Sequence, residues 1–205
     1  MILRFVHGWG FDRAIWQSVT ALLPEFDCRC DDRGYFGQPL SAEGGAIVVA
    51  HSFGAMRALA EPAPAFRGLV AINGFDCFAA RAGFPGVPVR VVERMLAQFG
   101  RDPAQVLDEF RRRCGAGHAP SKIDAIQLRA DLEALRDGDC RGRCTVPVVS
   151  LQAADDPLVP PAMQAAVFAS APRAERVTAP TGGHLLPLSD PAACVQAIRA
   201  MVEQS

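Results

Sequence analysis

The sequence predicts an α/β protein: a mostly parallel sheet flanked by helices, with a wholly helical segment inserted between two of its strands. Three observations carry this. Short β-like runs alternate with helical patterns at both ends of the chain, which is the order of βαβ units. Most of those runs are near-continuously apolar, as strands are when helices cover both faces of a parallel sheet. The stretch from about Asp76 to Cys144 shows helical periodicity and no convincing strand.

Taken in order, strands are placed at Ile2–Val6, Phe26–Asp31, Ala46–Ala50 and Leu69–Ile72. Three helical patterns follow. The first carries Val89, Val92, Leu96 and Phe99 at helical spacing. The second opens on Asp102-Pro103, a cap followed by a first-turn proline, and carries Val106, Leu107 and Phe110. The third starts after Ser121 and carries Ile123, Ile126, Leu132 and Leu135. A helical insert between parallel strands reads as a lid over the carboxyl edge of the sheet, where open α/β sheets bind ligands. Strands resume at Val146–Leu151 and Ala174–Thr178. A last helix is capped by Asp190, starts with Pro191, and carries a stripe of Val195, Ile198, Met201 and Val202. The chain thus divides, within one folding unit, into a core of residues 1–75 and 145–205 and a lid of residues 76–144.

Composition narrows the function. At 205 residues the chain supports one well-buried core, whereas two independent domains would each be small. A net charge of −1 gives no reason to expect nucleic acid or membrane as a partner. No apolar run approaches the ~20 residues needed to span a bilayer. The N-terminus lacks the apolar stretch and cleavage site of a signal peptide. Seven cysteines, an odd number in a chain that does not look secreted, read as free thiols in a reducing cytoplasm. A cytoplasmic monomer is expected.

The chemistry centres on Ile47-Val48-Val49-Ala50-His51-Ser52-Phe53-Gly54-Ala55. A strand ends, one serine occupies a tight turn, and a helix starts with small residues. This is the pattern of a nucleophile elbow, normally G-x-S-x-G, in which small neighbours let the helix pass close to the strand. Ala50 stands where the first glycine is usual. An acid and then a histidine should follow along the chain. The fifth strand runs into Asp155-Asp156-Pro157-Leu158-Val159-Pro160, and the sixth into Thr181-Gly182-Gly183-His184. Asp156 is preferred as the acid because it directly precedes the Pro-Leu-Val-Pro turn, and Asp155 then reads as a solvated neighbour. An imidazole held by a carboxylate can take the serine proton. The developing oxyanion needs donors, one from the amide after the nucleophile, Phe53, and one from the loop His7-Gly8-Trp9-Gly10, with Trp9 the candidate. His7 is expected to hold that loop by hydrogen bonds, His51 to point away from the pocket, and His118 to lie in the lid.

Cys114-x-x-x-His118 and Cys140-x-x-x-Cys144 could in principle supply four metal ligands, but the spacings are looser than paired C-x-x-C and both flank lid segments, so no metal or other cofactor is expected. Cys28 and Cys30 alternate on a strand and read as packed thiols. In the lid, Arg111-Arg112-Arg113 ends one helix, and Arg90 and Arg94 lie four apart on another, so each group can present cations together.

HGWGFDRAIW, the serine elbow, DDPLVP and GGHLLP, in this order, resemble the esterases of biotin synthesis that demethylate pimeloyl-acyl-carrier-protein methyl ester, a branch of the α/β-hydrolase fold. The likeness continues through VVERMLAQFGRDPAQVLDEFRRRC and LRADLEALRDGD and so spans nearly the whole chain. It implies Ser52, Asp156 and His184 as catalytic residues, Trp9 and Phe53 as oxyanion donors, an acyl-carrier protein as partner, and lid arginines as its contacts. Arg90, Arg94, Arg111, Arg112 and Arg113 are the candidates for that last role, and their register against the family is open. Two departures stand out: the chain begins directly at the strand before HGWG, and it has AHSFG where the family has a leading glycine.

Overall fold

The computed structural model describes residues 1–61 and 66–204. Six strands, β1 (Ile2–Val6), β2 (Asp27–Cys30), β3 (Ile47–His51), β4 (Gly68–Ile72), β5 (Val148–Ala153) and β6 (Ala174–Ala179), form one sheet in the order β2-β1-β3-β4-β5-β6. Every neighbouring pair is parallel. All six expected strands are present, with ends shifted by up to two residues. β5 begins at Val148, after Pro147, which has no N–H to give the ladder.

The helices are α1 (Gln17–Ala21), α2 (Phe53–Ala60), α3 (Val89–Phe99), α4 (Pro103–Arg113), α5 (Ala125–Asp137), α6 (Pro161–Ala166), α7 (Leu186–Ser189) and α8 (Pro191–Glu203). Three of them are capped by aspartates that accept a backbone N–H three residues on: Asp102 from Gln105, Asp124 from Gln127 and Asp190 from Ala193. The central strands β3, β4 and β5 are buried along their whole length, which is why they read as near-continuous apolar runs. One face of the sheet packs Leu3, Phe5, Val49, Val70 and Leu151 against Trp16 and α8. The other packs Val48, Leu69 and Val148 against α2 and the helices that follow.

α3, α4 and α5 lie between β4 and β5 in sequence, and polar contacts dock them onto the core. The Trp9 indole N–H donates to Leu128 O at 2.8 Å. The Arg33 guanidinium forks onto Asp131 of α5, with both bonds 2.7 Å, and the Tyr35 hydroxyl donates to the same carboxylate at 2.7 Å. Asp131 is buried and fully partnered, the condition under which a buried charge is tolerated. The expected stripe of the third inserted helix needs correction. The helix begins at Ala125 rather than directly after Ser121, and Ile126 is 85% exposed, so Leu128 takes its place beside Leu132 and Leu135. Ile126 is two residues from Leu128, and residues two apart point to different helix faces.

Candidate active site

The carboxyl ends of β3, β5 and β6 point the same way because the sheet is parallel, and each delivers one polar side chain to a common point. β3 turns sharply into α2 at Ser52, whose φ of 53° lies in the left-handed region that L-residues seldom occupy. The turn is closed by Ser52 N–H donating to Ile72 O at 3.1 Å. It leaves no room for side chains. A Cβ on Gly54 would sit 2.3 Å from Val6 O, and one on Gly8 would sit 2.9 Å from Ser52 Cβ. Ala50 is fully buried between Val6 and Ala71 in the sheet, and its methyl group is accommodated there.

Ser52 Oγ lies 2.9 Å from His184 Nε2, and His184 Nδ1 lies 2.8 Å from Asp156 Oδ2. All three residues are buried. Asp156 is aimed by its own turn, since Oδ1 accepts the Leu158 N–H at 2.7 Å and the Val159 N–H at 3.2 Å. The Pro-Leu-Val-Pro turn that marked Asp156 in the sequence thus holds its carboxylate. Asp155 is a solvated neighbour with a further contact role. It is exposed, yet its carboxylate accepts from Gly183 N at 2.8 Å and Gly182 N at 3.3 Å, which pins the loop carrying His184. The geometry allows a proton to pass from Ser52 to His184 while Asp156 fixes the ring.

Phe53 opens α2, so its N–H is among those a helix leaves without an intrahelical acceptor. It adjoins Ser52 in sequence, and the room beside Gly8, the residue before Trp9, is bounded by Ser52 Cβ, so the loop bearing Trp9 passes close to the serine. The loop bearing Trp9 is held by His7. Its Nδ1 bonds Gly8 O at 2.9 Å, and its Nε2 accepts the Arg33 N–H at 2.9 Å, a pairing that fits only a neutral ring protonated at Nδ1. His51 is fully buried, with its ring 4.9 Å from that of His184, and its Nε2 bonds the His184 carbonyl oxygen at 2.9 Å.

Burial holds the His7 imidazole down to about pKa 4, with repulsion from Arg57 in the same direction. The unfolded value is about 6.5, so between these two pH values the unfolded chain binds a proton that the folded one refuses. Stability is therefore whole above pH ~6.5 and falls as pH drops toward 4. The linkage amounts to roughly 3 kcal/mol, and burial of His51 acts in the same direction. Urea midpoints measured from pH 7 to pH 4.5 should fall steeply for the native sequence and less for His7→Gln. An equal fall in both would assign the loss to other groups.

A cavity of about 490 Å³ lies under the inserted helices, walled mostly by apolar side chains including Trp9, Val92, Met95, Phe110, Leu132 and Leu158. A second, of about 510 Å³, borders His184, Gly182 and Gly183. Arg113 and Pro157 line both, and Arg113 Nη2 donates to Pro157 O at 2.9 Å. The candidate arginines of the inserted helices divide into two kinds. Arg90, Arg94 and Arg112 are exposed. Arg111 is instead a strut: it donates to Gly10 O at 2.8 Å and Gly117 O at 3.0 Å and lies 5.1 Å from the Phe11 ring. A surface role for Arg111 does not fit these contacts. Of the alternative metal ligands, Cys114, Cys140 and Cys144 are buried, free thiols and His118 pairs with Asp108. Among the described residues no cluster of three or more His, Cys, Asp or Glu could hold a metal ion.

The profile of the alpha/beta hydrolase family matches residues 29–197, most of the chain. The chain belongs to the alpha/beta hydrolase family. As a hydrolase it resembles two curated relatives named pimeloyl-[acyl-carrier protein] methyl ester esterase. The one from Pectobacterium atrosepticum is 26% identical, and the match covers 98% of this chain and 94% of the relative. The one from Yersinia enterocolitica is 24% identical over 99% and 93%. The first alignment runs over 239 positions on a chain of 205 residues, so the relative carries segments that this hydrolase lacks. Among solved structures, an esterase from Exiguobacterium antarcticum superposes with a TM-score of 0.80 at 16% identity, covering 99% of this chain and 92% of that one. A thermophilic esterase from Thermogutta terrifontis gives 0.75 at 18%, covering 100% and 90%. These superpositions establish the shared fold. Among the described residues no helix is long and apolar enough to cross a membrane.

Proposed function

We propose that this hydrolase is a serine carboxylesterase acting on an acyl ester carried by an acyl-carrier protein, the substrate being the pimeloyl methyl ester named in its relatives. The observation that carries the ester chemistry is the unbroken hydrogen-bonded chain from Ser52 through His184 to Asp156 at the mouth of a parallel sheet. Ser52 Oγ attacks the ester carbonyl as His184 Nε2 accepts its proton. Asp156 stabilises the resulting imidazolium, and the Trp9 and Phe53 amides receive the oxyanion. Collapse of the tetrahedral intermediate expels the alcohol, which takes the proton back from His184. Water then repeats the sequence on the acyl-enzyme and releases the acid. No step calls on a metal or cofactor.

Residues 76–144 serve as the lid and residues 1–75 and 145–205 as the core. The cavity beneath α3–α5 is apolar enough to take an acyl chain, and a water-excluding cover suits an ester of a long chain. The carrier reading rests on the relatives' names and on exposed cations beside that cavity, since carrier proteins of this kind are acidic and charge attraction speeds encounter. Because Arg111 is a strut, the clean test uses Arg90, Arg94 and Arg112 changed together to Glu. kcat/KM for a carrier-bound methyl ester should fall about 10-fold or more, equivalent to ~1.4 kcal/mol, and the native rate should itself fall with added salt. Hydrolysis of a p-nitrophenyl ester should be nearly unchanged. If neither substrate responds, the enzyme is a general carboxylesterase for small free esters. Restored growth without biotin, in cells lacking the demethylation step, tests the pathway directly.

A further inference from the structure

One buried amide ties the loop that carries His184 to the end of the strand leading to Asp156, beside the anchor of the Ser52 turn. Asn73 is the first residue after β4, fully buried, with φ 45°, in the left-handed region that asparagine tolerates better than most residues. Its backbone N–H donates to Leu151 O of β5 at 2.8 Å. Its side-chain Nδ2 donates to Gly183 O at 2.8 Å and to His184 O at 3.0 Å, while Oδ1 accepts the Ala153 N–H at 2.8 Å. The preceding residue, Ile72, supplies the carbonyl that closes the Ser52 turn. Asn73 thus binds the histidine loop and the end of β5, three residues before Asp156, from a point one residue beyond the serine's own anchor. His51, directly before Ser52, adds a second donor to the same His184 carbonyl.

We propose that Asn73, seconded by His51, is the positioning residue that sets His184 between Ser52 and Asp156; this rests on the serine-esterase reading above. The carbonyl of His184 is held by two donors, one at the end of β3 and one directly after β4, so the backbone under the imidazole is fixed. The task requires a planar group with two donors and an acceptor in one place. Asparagine supplies this, whereas aspartate would turn one carboxylate oxygen toward two carbonyls in place of the Nδ2 donor. Asn73 touches no reacting atom, so its effect runs through geometry, where a displacement of about 1 Å costs on the order of 10²-fold.

The test compares Asn73→Ala and Asn73→Asp with the native enzyme on a p-nitrophenyl ester at 25 °C, below the unfolding range of each protein. kcat should fall about 100-fold with KM within about 2-fold, and the fluorophosphonate labelling rate should fall in proportion. Loss of stability alone, in protein still folded at that temperature, moves neither quantity. Should both Asn73 variants fail to fold, His51→Phe keeps a ring in the pocket and removes one donor, and its kcat should fall about 10-fold at constant KM. Unchanged kcat, or a loss confined to KM, in the variants that fold would overturn the positioning role. Full activity in Ser52→Ala would instead remove the reading beneath it.

Discussion

Replacing Ser52 with alanine should abolish covalent labelling by a fluorophosphonate probe and lower turnover by about 10⁵–10⁶-fold, a change of ~7–8 kcal/mol in the barrier. The size follows from the arrangement. Ser52 Oγ is 2.9 Å from a base that is itself held by a carboxylate, and members of such a unit lose nearly all of its effect when the nucleophile goes. The fold should tolerate the change. Alanine occupies the same backbone turn, and among the described residues the side-chain hydrogen bond removed is the one to His184, since the turn is closed by the backbone amide of Ser52. Circular dichroism and urea midpoints close to the native values would separate lost chemistry from lost structure. Retained activity with intact folding would end the serine mechanism.

The second large effect is expected at Asp156. In Asp156→Asn the amide oxygen can still accept the Leu158 and Val159 N–H groups, so the turn should persist. The amide nitrogen then faces His184 Nδ1 in place of an oxygen. Two donors cannot bond, so His184 shifts its proton to Nε2 and meets Ser52 as a donor, unable to take its proton. Turnover should drop about 10⁴-fold while stability changes little. Asp155→Asn is the control. One oxygen still accepts the Gly183 N–H, and no bond to the imidazole is involved, so the loss should stay below about 10-fold. Steady-state rates for the two variants decide between the adjacent aspartates, and the reverse ranking would transfer the acid role to Asp155.

Much of the sheet was legible because buried parallel strands are written as near-continuous apolar runs. β1, β3 and β4 were placed to within one residue, and the caps Asp102 and Asp190 marked their helices because a cap is a local interaction within four residues. The inserted helices were found by periodicity, but Ile126 misled. An isoleucine near a helix start carries the same apolar signal whether it faces a neighbour or solvent, and only packing tells them apart. The candidate residues Ser52, Asp156 and His184 were legible for a similar reason: each sits in a turn whose neighbours are constrained, Gly54 by Val6 O, Leu158 and Val159 by the carboxylate of Asp156, and Gly182-Gly183 by positive φ.

The residues that hold the site in place left no such trace. Asn73, His51 and Asp131 act across 80 to 133 positions of sequence, and no local pattern distinguishes a buried asparagine that bridges two loops from one in an ordinary turn. Arg111 illustrates the same limit from the other side, since an arginine run at a helix end reads as surface charge until Gly10 and Phe11 are seen beneath it. The sequence by itself therefore determined the strands, the inserted helices and the candidate chemical residues, because apolar periodicity, caps and turn glycines are short-range physics. Tertiary structure alone decided which polar groups meet, which arginines remain free, and how His184 is held, because those are contacts between residues far apart in the chain.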